Sequence, residues 1–310
     1  MRVRCSVAEP GPVCVLGGIN LDIHLKAVAD AMRAHTSNPA RARVVPGGVA
    51  RNVAENLARW SVPVVLLGAV GDDPLSDLVL EQTAATGVDV RSVDRVPNQT
   101  VGLSVALLDH SGELALGASC MDAAEACSPD YVRRVAPTIR AASLLVVDAN
   151  LSASTIAEAL VEADVVGTPV VIDPVSVVKA ARLATVPARV VAITPNRDEA
   201  RFFTEPDCRL ASEWLVVSMG AEGVQLLRRD ESYPAAGTRL ALRAVHPIDV
   251  TGAGDALIAG IACGLRAGLS MEVSVRIGLH AARETVLQPY AVATTLNAEW
   301  LRQTVREITQ

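Results

Sequence analysis

The chain has 310 residues, of which 50% are hydrophobic and 3% aromatic, and its formal net charge is −6. This length and hydrophobic content suit one α/β domain, with a small appendage at most. The acidic balance and the few aromatic side chains argue against a nucleic-acid polymer as partner.

The first elements predict a strand whose polar face is suited to a small ligand. Val13–Gly18 is a short apolar run that ends in two glycines, and residues 19–25 then alternate aliphatic with polar side chains. Such a period of two is typical of a strand with one buried face. Asn20 and Asp22 would point the same way, as two groups holding neighbouring sugar hydroxyls would. An ordinary solvated strand face is the alternative.

A diglycine then opens the first helix. Gly47 and Gly48 precede a run up to Trp60 with the apolar spacing of an amphipathic helix. A helix that begins this way exposes backbone N–H groups to a ligand, and Asn52 lies one turn further on. We expect Asn52 to contact that ligand, although a surface position is the alternative.

The next segments predict a small sheet separate from the main one. A buried strand (63–71), a helix (72–85) and another strand (87–90) are followed by strands at 100–108 and 113–117 around a hairpin signal. Together with the strands at 19–25 and 42–46, this hairpin predicts a β-sheet lid. The lid would be assembled from residues about 19–47 and 98–121.

From residue 128 onward, helices and strands alternate regularly. We predict helices at about 129–140, 153–164, 176–184, 272–287 and 297–308, strands at 144–148, 168–173, 190–193, 214–218 and 224–228, and a hairpin-like connection at 231–245. This alternation is typical of a parallel sheet with right-handed crossovers, which binds ligands at the carboxyl ends of its strands. Polar residues follow those ends: Asp148, Asn150, Asp173, Asn196, Asp198 and Glu199. We assign Asp198 as a helix cap.

The segment Thr251-Gly-Ala-Gly-Asp255 is the strongest local signal for chemistry. It opens an apolar run with helical spacing, so we predict Thr251 as the N-cap and the glycines in the first turn. Free N–H groups and the helix dipole would make this turn an anion site. Asp255 would then be a base that takes a proton from a hydroxyl attacking a phosphate. A tight turn whose aspartate only favours the helix dipole is the alternative.

Several classes of site and location are not indicated. The six cysteines have no CxxC spacing and the five histidines no paired-ligand pattern, so we expect free thiols and no zinc site. No apolar run is long enough to cross a membrane. The first ten residues lack a hydrophobic signal core, and the last three are not an SKL-type signal. We therefore expect a cytoplasmic protein without a membrane partner.

The pieces together resemble the ribokinase-like (PfkB) family of sugar and nucleoside kinases over roughly residues 13–300. The matching motifs, in order, are Gly47-Gly-Val-Ala-Arg-Asn52, Pro195-Asn-Arg-Asp-Glu199, Ser218-Met-Gly-Ala-Glu-Gly223 and Asp249-Val-Thr-Gly-Ala-Gly-Asp255. The resemblance implies a three-layer αβα fold with a central, mostly parallel sheet and the small β lid. Within the family, the chain most resembles the pseudouridine kinases, through Ser37-Asn-Pro39, Asp148-Ala-Asn150 and Asp173-Pro-Val-Ser-Val-Val-Lys179.

This resemblance implies a role for each matched position. Asp255 would be the base on the 5′-hydroxyl, and Gly252, Ala253 and Gly254 would form the anion hole. Substrate would contact Asn20, Asp22, Gly47, Gly48 and Asn52, with Asn150, Asp173 and Lys179 as subfamily candidates. ATP would lie near Asn196, Ser218, Gly220, Gly223 and Thr251, with Mg²⁺ held by Glu199 through water. Asp249 matches a monovalent-cation position, but no further ligands for K⁺ are evident in residues 285–295.

The expected activity is therefore ATP-dependent phosphorylation of pseudouridine, and a homodimer through the lid is an open expectation. Another sugar or nucleoside kinase of the same family, ribokinase-like or adenosine kinase-like, is the nearest rival. A non-catalytic nucleoside-binding protein with the same fold is a rival of a different class. Base preference depends on side-chain positions that the sequence does not specify.

Overall fold

A central sheet and a separate small sheet make up the fold. The computed structural model describes residues 10–229, 231 and 233–310, so the predictions about residues 1–9, including Cys5, lie outside the described residues. In chain order the strands are β1 (Val13–Leu16), β2 (Asn20–Ala27), β3 (Ala40–Gly47), β4 (Val64–Leu67), β5 (Ala69–Gly71), β6 (Asp94–Val96), β7 (Gly102–Leu108), β8 (Leu114–Cys120), β9 (Leu144–Asp148), β10 (Val170–Asp173), β11 (Ala188–Ile193), β12 (Leu210–Ser218), β13 (Val224–Arg228) and β14 (Thr238–Leu240).

The helices follow the predicted alternation. They are α1 (Val49–Arg59), α2 (Pro74–Ala84), α3 (Asp122–Glu125), α4 (Pro129–Arg140), α5 (Ala153–Asp164), α6 (Val177–Leu183), α7 (Arg197–Thr204), α8 (Ala253–Arg266), α9 (Met271–Thr285) and α10 (Ala298–Thr309), with a 3₁₀ turn at Gly220–Glu222. None of these helices, which span the described part of the chain, combines the length and apolarity needed to cross a bilayer.

The central sheet is mostly parallel, as the alternating pattern predicted. Its order is β14-β13-β12-β11-β10-β9-β1-β4, parallel from β4 to β12 and antiparallel through β13 and β14. Alternate side chains of β1 enter opposite cores, Val13 and Val15 on one side and Cys14 and Leu16 on the other. Helices cover both faces, which confirms the three-layer αβα fold.

Close helix packing positions α8 over the sheet. Gly260 of α8 lies directly against Gly278 of α9, and a Cβ on either residue would overlap backbone of the facing helix. Two glycines at a crossing let the helix backbones approach closely. This contact packs α8 closely against α9, and Asp255 at the start of α8 lies near Asp173 at the end of β10.

The second sheet has the order β3-β2-β7-β8 and uses the predicted lid segments. Asn20 lies opposite Gly47, Asp22 opposite Val45 and His24 opposite Arg43. Opposite residues of an antiparallel pair share one face of the sheet. One face of this small sheet therefore carries both the predicted sugar contacts and an arginine.

Several local predictions differ from the structure. The run 63–71 is broken into β4 and β5 at Gly68, and residues 87–90 form only an isolated bridge at Asp89, while the unpredicted strand β6 pairs with β5. Short apolar runs do not reveal such breaks, because pairing partners decide them. The connection at 231–245 contributes one short strand, β14, and its positions 230 and 232 lie outside the described residues. The two predicted helix caps are corrected below.

Candidate active site

A tight glycine turn begins α8, one residue later than predicted. Gly252 is the N-cap and adopts a left-handed conformation with φ 78°. An added Cβ there would overlap the carbonyl oxygen of Ala291, so the position admits only glycine. The prediction of Thr251 as N-cap is therefore wrong. The N–H of Thr251 instead donates to Oδ1 of Asp249 at 2.9 Å.

The backbone amides of this turn are largely free. The N–H groups of Gly252 and Gly254 have no acceptor among the described residues, whereas that of Ala253 donates to the carbonyl of Val250 at 3.3 Å. A Cβ added to Gly254 would meet nothing within 4 Å, so this residue borders open space. Two unpaired amides at the positive end of a 14-residue helix are donors that can bind an anion. The amide of Ala253, also predicted for the anion hole, is already bonded.

Asp255 lies in the first turn of α8, with only 9% of its surface exposed. Its Oδ2 accepts a hydrogen bond from Nδ2 of Asn52 at 2.7 Å, across 203 positions of sequence. Burial raises the pKa of this carboxyl to about 7, with Asp148 and Asp22 raising it and Asn52 and Arg51 lowering it. Near neutral pH the group can therefore accept a proton, as a general base must.

Arg51 is a functional candidate that sequence reasoning missed. It is 5% exposed, and its Nη1 donates to Oδ1 of Asn52 at 2.6 Å and to the carbonyl of Pro46 at 2.9 Å. It also forms an ion pair with Glu55. With Oδ1 of Asn52 held this way, the amide nitrogen must face Asp255. The i, i+4 spacing of Arg51 and Glu55 predicts only a surface pair, so no sequence signal revealed this role.

The small sheet presents the predicted sugar contacts toward this region. Asn20 has a buried Oδ1 without any hydrogen-bond partner among the described residues, which is an acceptor suited to a ligand hydroxyl. The carboxylate of Asp22 lies against Gly47, where a Cβ would overlap it. Burial raises the pKa of Asp22, while His24, Arg51 and Arg43 oppose the shift.

Gly48 links the small sheet to the sheet edge. It is the N-cap of α1 with φ 97°, and a Cβ would overlap the carbonyl of Gly18. Two residues further on, the amide of Ala50 donates to the fully buried carboxylate of Asp148 at 2.9 Å. Gly18 and Asn150 donate to the same carboxylate, at 2.8 and 2.9 Å. Asp148 is thus a structural acceptor that holds three segments together.

The other strand-end residues meet at this edge as well. Asp173 is directly opposite Asp148 in the sheet, and Asn150 accepts a hydrogen bond from Nζ of Lys179 at 2.5 Å. Burial raises the pKa of Asp173 well above its usual value, and the carboxylates of Asp255, Asp148 and Glu199 raise it further. These four carboxyls, on different strands and helices, thus lie close enough to interact.

The predicted nucleotide side is organised by a capping box. Asn196, not Asp198, is the N-cap of α7, because its Oδ1 accepts from the amides of both Asp198 and Glu199. Both carboxylate oxygens of Glu199 bond back to Asn196, at 2.8 and 2.9 Å. An asparagine two residues earlier outcompetes an aspartate already inside the helix.

Ser218 lies beside this cap, since it forms a parallel bridge with Asn196 and its N–H donates to Pro195. Gly220 follows with φ 59° and open space around its Cα, and Gly223 has φ 89°. Thr251 is exposed at the glycine turn. The predicted ATP residues therefore form two groups, one at the end of β12 and one at the start of α8.

Asp249 has a partner that the sequence did not suggest. Nη2 of Arg43, from β3 of the small sheet, lies 3.7 Å from its Oδ2. The same guanidinium donates to the carbonyl of Pro289 and lies 5.4 Å from the ring centroid of Tyr290. The position predicted for a monovalent cation is thus next to a fixed positive charge.

The described residues contain no group of three or more metal-ligating side chains, and their five cysteines are unpaired.

The model of the pfkB family of carbohydrate kinases matches residues 12–298. The chain belongs to the pfkB family. As a pfkB-type sugar or nucleoside kinase, it is a phosphotransferase.

The similarity to known proteins extends over nearly the whole chain. This pfkB kinase is 31% identical over 282 residues to the pseudouridine kinase of Escherichia coli K12, covering 86% of this chain and 88% of that protein. A carbohydrate kinase from Agrobacterium tumefaciens is 25% identical with a TM-score of 0.80, covering 96% and 97% of the two chains. Arabidopsis thaliana ribokinase, complexed with ribose and ATP, is 20% identical with a TM-score of 0.78, covering 96% and 99%. This last likeness supports the fold.

Proposed function

We propose that this kinase transfers the γ-phosphoryl group of ATP to the 5′-hydroxyl of pseudouridine. The observation that carries the chemistry is the pairing of Asp255, whose pKa is about 7, with unbonded amides of the same helix turn. Phosphoryl transfer depends mainly on positioning and on stabilising negative charge. The free amides can stabilise that charge, and Asp255 can accept the proton of the attacking hydroxyl.

In this proposal Asp255 accepts the proton of the 5′-hydroxyl as its oxygen attacks the γ-phosphorus. The new O–P bond forms while the bond to the β–γ bridging oxygen breaks, and ADP leaves. The amides of Gly252 and Gly254 donate to the non-bridging oxygens, where charge is held during transfer. The helix dipole acts in the same direction.

Nucleoside binding is assigned to the cleft between the small sheet and the strand ends. The free acceptor of Asn20 and the carboxylate of Asp22 would bind ribose hydroxyls, and Gly47 and Gly48 let the ribose approach closely. Asn52 would act through Asp255, because both of its polar side-chain atoms are already bonded. Asn150, Asp173 and Lys179 remain candidate substrate contacts at the other side.

ATP would extend from the glycine turn, past Thr251, toward Asn196, Ser218, Gly220 and Gly223. Asp173, Asp255 and Glu199 fit a magnesium ion by their chemistry, since carboxylate oxygens are its preferred ligands. Burial, and then repulsion from the neighbouring carboxylates, raises the pKa of Asp173, and a divalent cation would offset both effects. Because Asn196 occupies both oxygens of Glu199, this residue would hold Mg²⁺ through water. The ion supplies neutralisation of phosphate charge, and it needs only one or two carboxylates beside the phosphates.

The substrate is proposed from sequence similarity to the pseudouridine kinase of E. coli, which extends over 86% of the chain. The test is a panel of pseudouridine, uridine, adenosine and ribose, each incubated with Mg-ATP. Phosphorylation is measured by ADP release and by the mass of the product. Preferred phosphorylation of pseudouridine supports the proposal. Preference for ribose or adenosine contradicts it but keeps the kinase chemistry. Absence of turnover with all four would favour the non-catalytic nucleoside-binding protein.

We also propose that two copies pair through the small sheet. Its edge strand β8 is exposed along its whole length, and Leu114 and Leu116 are 64% and 65% exposed. An exposed apolar edge strand is a surface at which a second sheet can pair. Sedimentation equilibrium of the wild type and of Leu116→Lys tests this: a dimer weakened by the substitution is expected, and a wild-type monomer contradicts it.

A further inference from the structure

The contact between Arg43 and Asp249 joins parts of the fold that are far apart in sequence. Arg43 belongs to β3, on the face of the small sheet that also carries Asn20 and Asp22. Its guanidinium lies 3.7 Å from Asp249 and donates to the carbonyl of Pro289. One side chain therefore connects the face assigned to the nucleoside with the segment leading into the glycine turn.

The contacted segments support the anion site directly. Asp249 Oδ1 holds the amide of Thr251 at 2.9 Å, and the amide of Ile248 donates to the carbonyl of Val286 at 2.7 Å. Gly252 packs on the carbonyl of Ala291. The loop after α9 and the residues before α8 thus form one support, and Arg43 contacts both halves of it.

The oxygen atoms around the guanidinium are of the kind that bind a monovalent cation. A carboxylate oxygen of Asp249 and the carbonyl oxygen of Pro289 both face Arg43, and the ring of Tyr290 lies beside it at 5.4 Å. The carboxylate provides a full negative charge, and the carbonyl oxygen and the face of the ring provide partial ones, so the set suits a single positive charge. A bound K⁺ would have to share one carboxylate with a guanidinium, and the two positive charges would repel each other.

We infer that the guanidinium of Arg43 takes the place of a monovalent cation beside Asp249, so that phosphoryl transfer by this protein does not require K⁺. The residues present do not fit the monovalent cation that the pfkB resemblance implies, because the carboxylate of Asp249 already lies beside this chain's own guanidinium, at 3.7 Å. Arg43 is a positioning residue: it holds Asp249 and the loop at Pro289 where the turn at Gly252 needs them. The inference rests on the proposed kinase activity only for its rate measurements.

The first test compares initial rates in potassium, sodium and tetramethylammonium chloride at constant ionic strength. For the wild type we expect rates within twofold of each other. Arg43→Ala should lose about tenfold or more in tetramethylammonium and recover part of it in potassium or guanidinium chloride. Arg43→Lys, which keeps the charge, should remain insensitive to the cation. Activation of the wild type by K⁺ of tenfold or more would overturn the inference.

A matched control is Arg41→Ala, since Arg41 lies two residues away on the same face of β3 and forms no ion pair within the described residues. Its rates should match the wild type in every salt. A loss equal to that of Arg43→Ala, without any cation rescue in either, would indicate a general effect of small-sheet charge and would also overturn the inference.

A second readout does not depend on catalysis. Crystals soaked in thallous acetate should show anomalous signal beside Asp249 in Arg43→Ala and none there in the wild type. Tl⁺ bound beside Asp249 in the wild type would refute the replacement even if the rates agreed. If no substrate is phosphorylated in any salt, the proposed function fails, while the thallium comparison still decides the role of Arg43.

Discussion

The hydrogen bond from Asn52 to Asp255 gives the sharpest prediction about the proposed base. Replacement of Asn52 by leucine, which is close in size, removes a 2.7 Å donor from a buried carboxylate. Because the donor favours the ionised form, its loss must raise the pKa of Asp255 above its present value of about 7. The residue must be ionised to act as a base, so activity should be lost at a higher pH than in the wild type.

The size of the shift follows from the bond. A hydrogen bond to a charged group contributes about 1.5–3 kcal/mol, and one pKa unit corresponds to about 1.4 kcal/mol, so the shift should be about one to two units. At pH 7 the ionised fraction would fall from about one half to between about one tenth and one hundredth. We therefore expect kcat/KM of Asn52→Leu to fall about 5- to 50-fold at pH 7 and to recover above about pH 9.

The assay is the pH profile of kcat/KM from pH 5 to 10, which reports the free enzyme. Asn150→Leu is the matched control, because its amide bonds Lys179 and not Asp255. That variant can lose affinity, but its acid limb should not move. An acid limb that stays in place in Asn52→Leu, or moves to lower pH, would refute the assignment of Asp255 as the base.

Further predictions concern the turn, the sugar face and the sheet edge. Asp255→Asn should lower kcat about 10²- to 10⁴-fold, while calorimetry shows nucleoside affinity within a few-fold of the wild type. Asp22→Ala should raise KM for the nucleoside far more than KM for ATP; equal increases in both would point to misfolding. Gly252→Ala should lower the thermal midpoint, because its Cβ has no room, whereas Gly254→Ala should keep the midpoint and lose kcat. The reverse order would contradict the described turn. Asp148→Ala leaves three backbone donors unpaired and should lower the free energy of unfolding in urea by about 3 kcal/mol. An unchanged urea midpoint would show that these hydrogen bonds do not contribute to stability.

Local signals were enough to predict most of the helices and strands. Periodic apolar spacing predicted the helices that follow residue 128, and turn residues predicted the hairpin of β7 and β8. The glycine turn before Asp255 was recognisable because two glycines and a candidate cap open an apolar run with helical spacing. The exact cap was misplaced by one residue, since Thr251 is an acceptable cap by type and the conformation of Gly252 is not visible in sequence.

The roles of individual polar side chains were less predictable. Asn52 was expected to touch the ligand, but the fold places its amide between Arg51 and Asp255. Glu199 was expected to hold Mg²⁺ through water, and the fold adds a capping box that bonds both of its oxygens to Asn196. Each outcome depends on which partner lies nearest in space, and several residue types would satisfy the same sequence pattern.

The sequence by itself determined the family, the three-layer order of elements and the residue types available at the site, because these follow from spacing along the chain. Only the tertiary structure decided that Arg43 reaches Asp249 and that Asp255 is buried beside Asn52. The pKa of a carboxyl depends on the solvent removed from it and on charges a few ångströms away. Those neighbours come from positions about two hundred residues distant, so no local pattern records them.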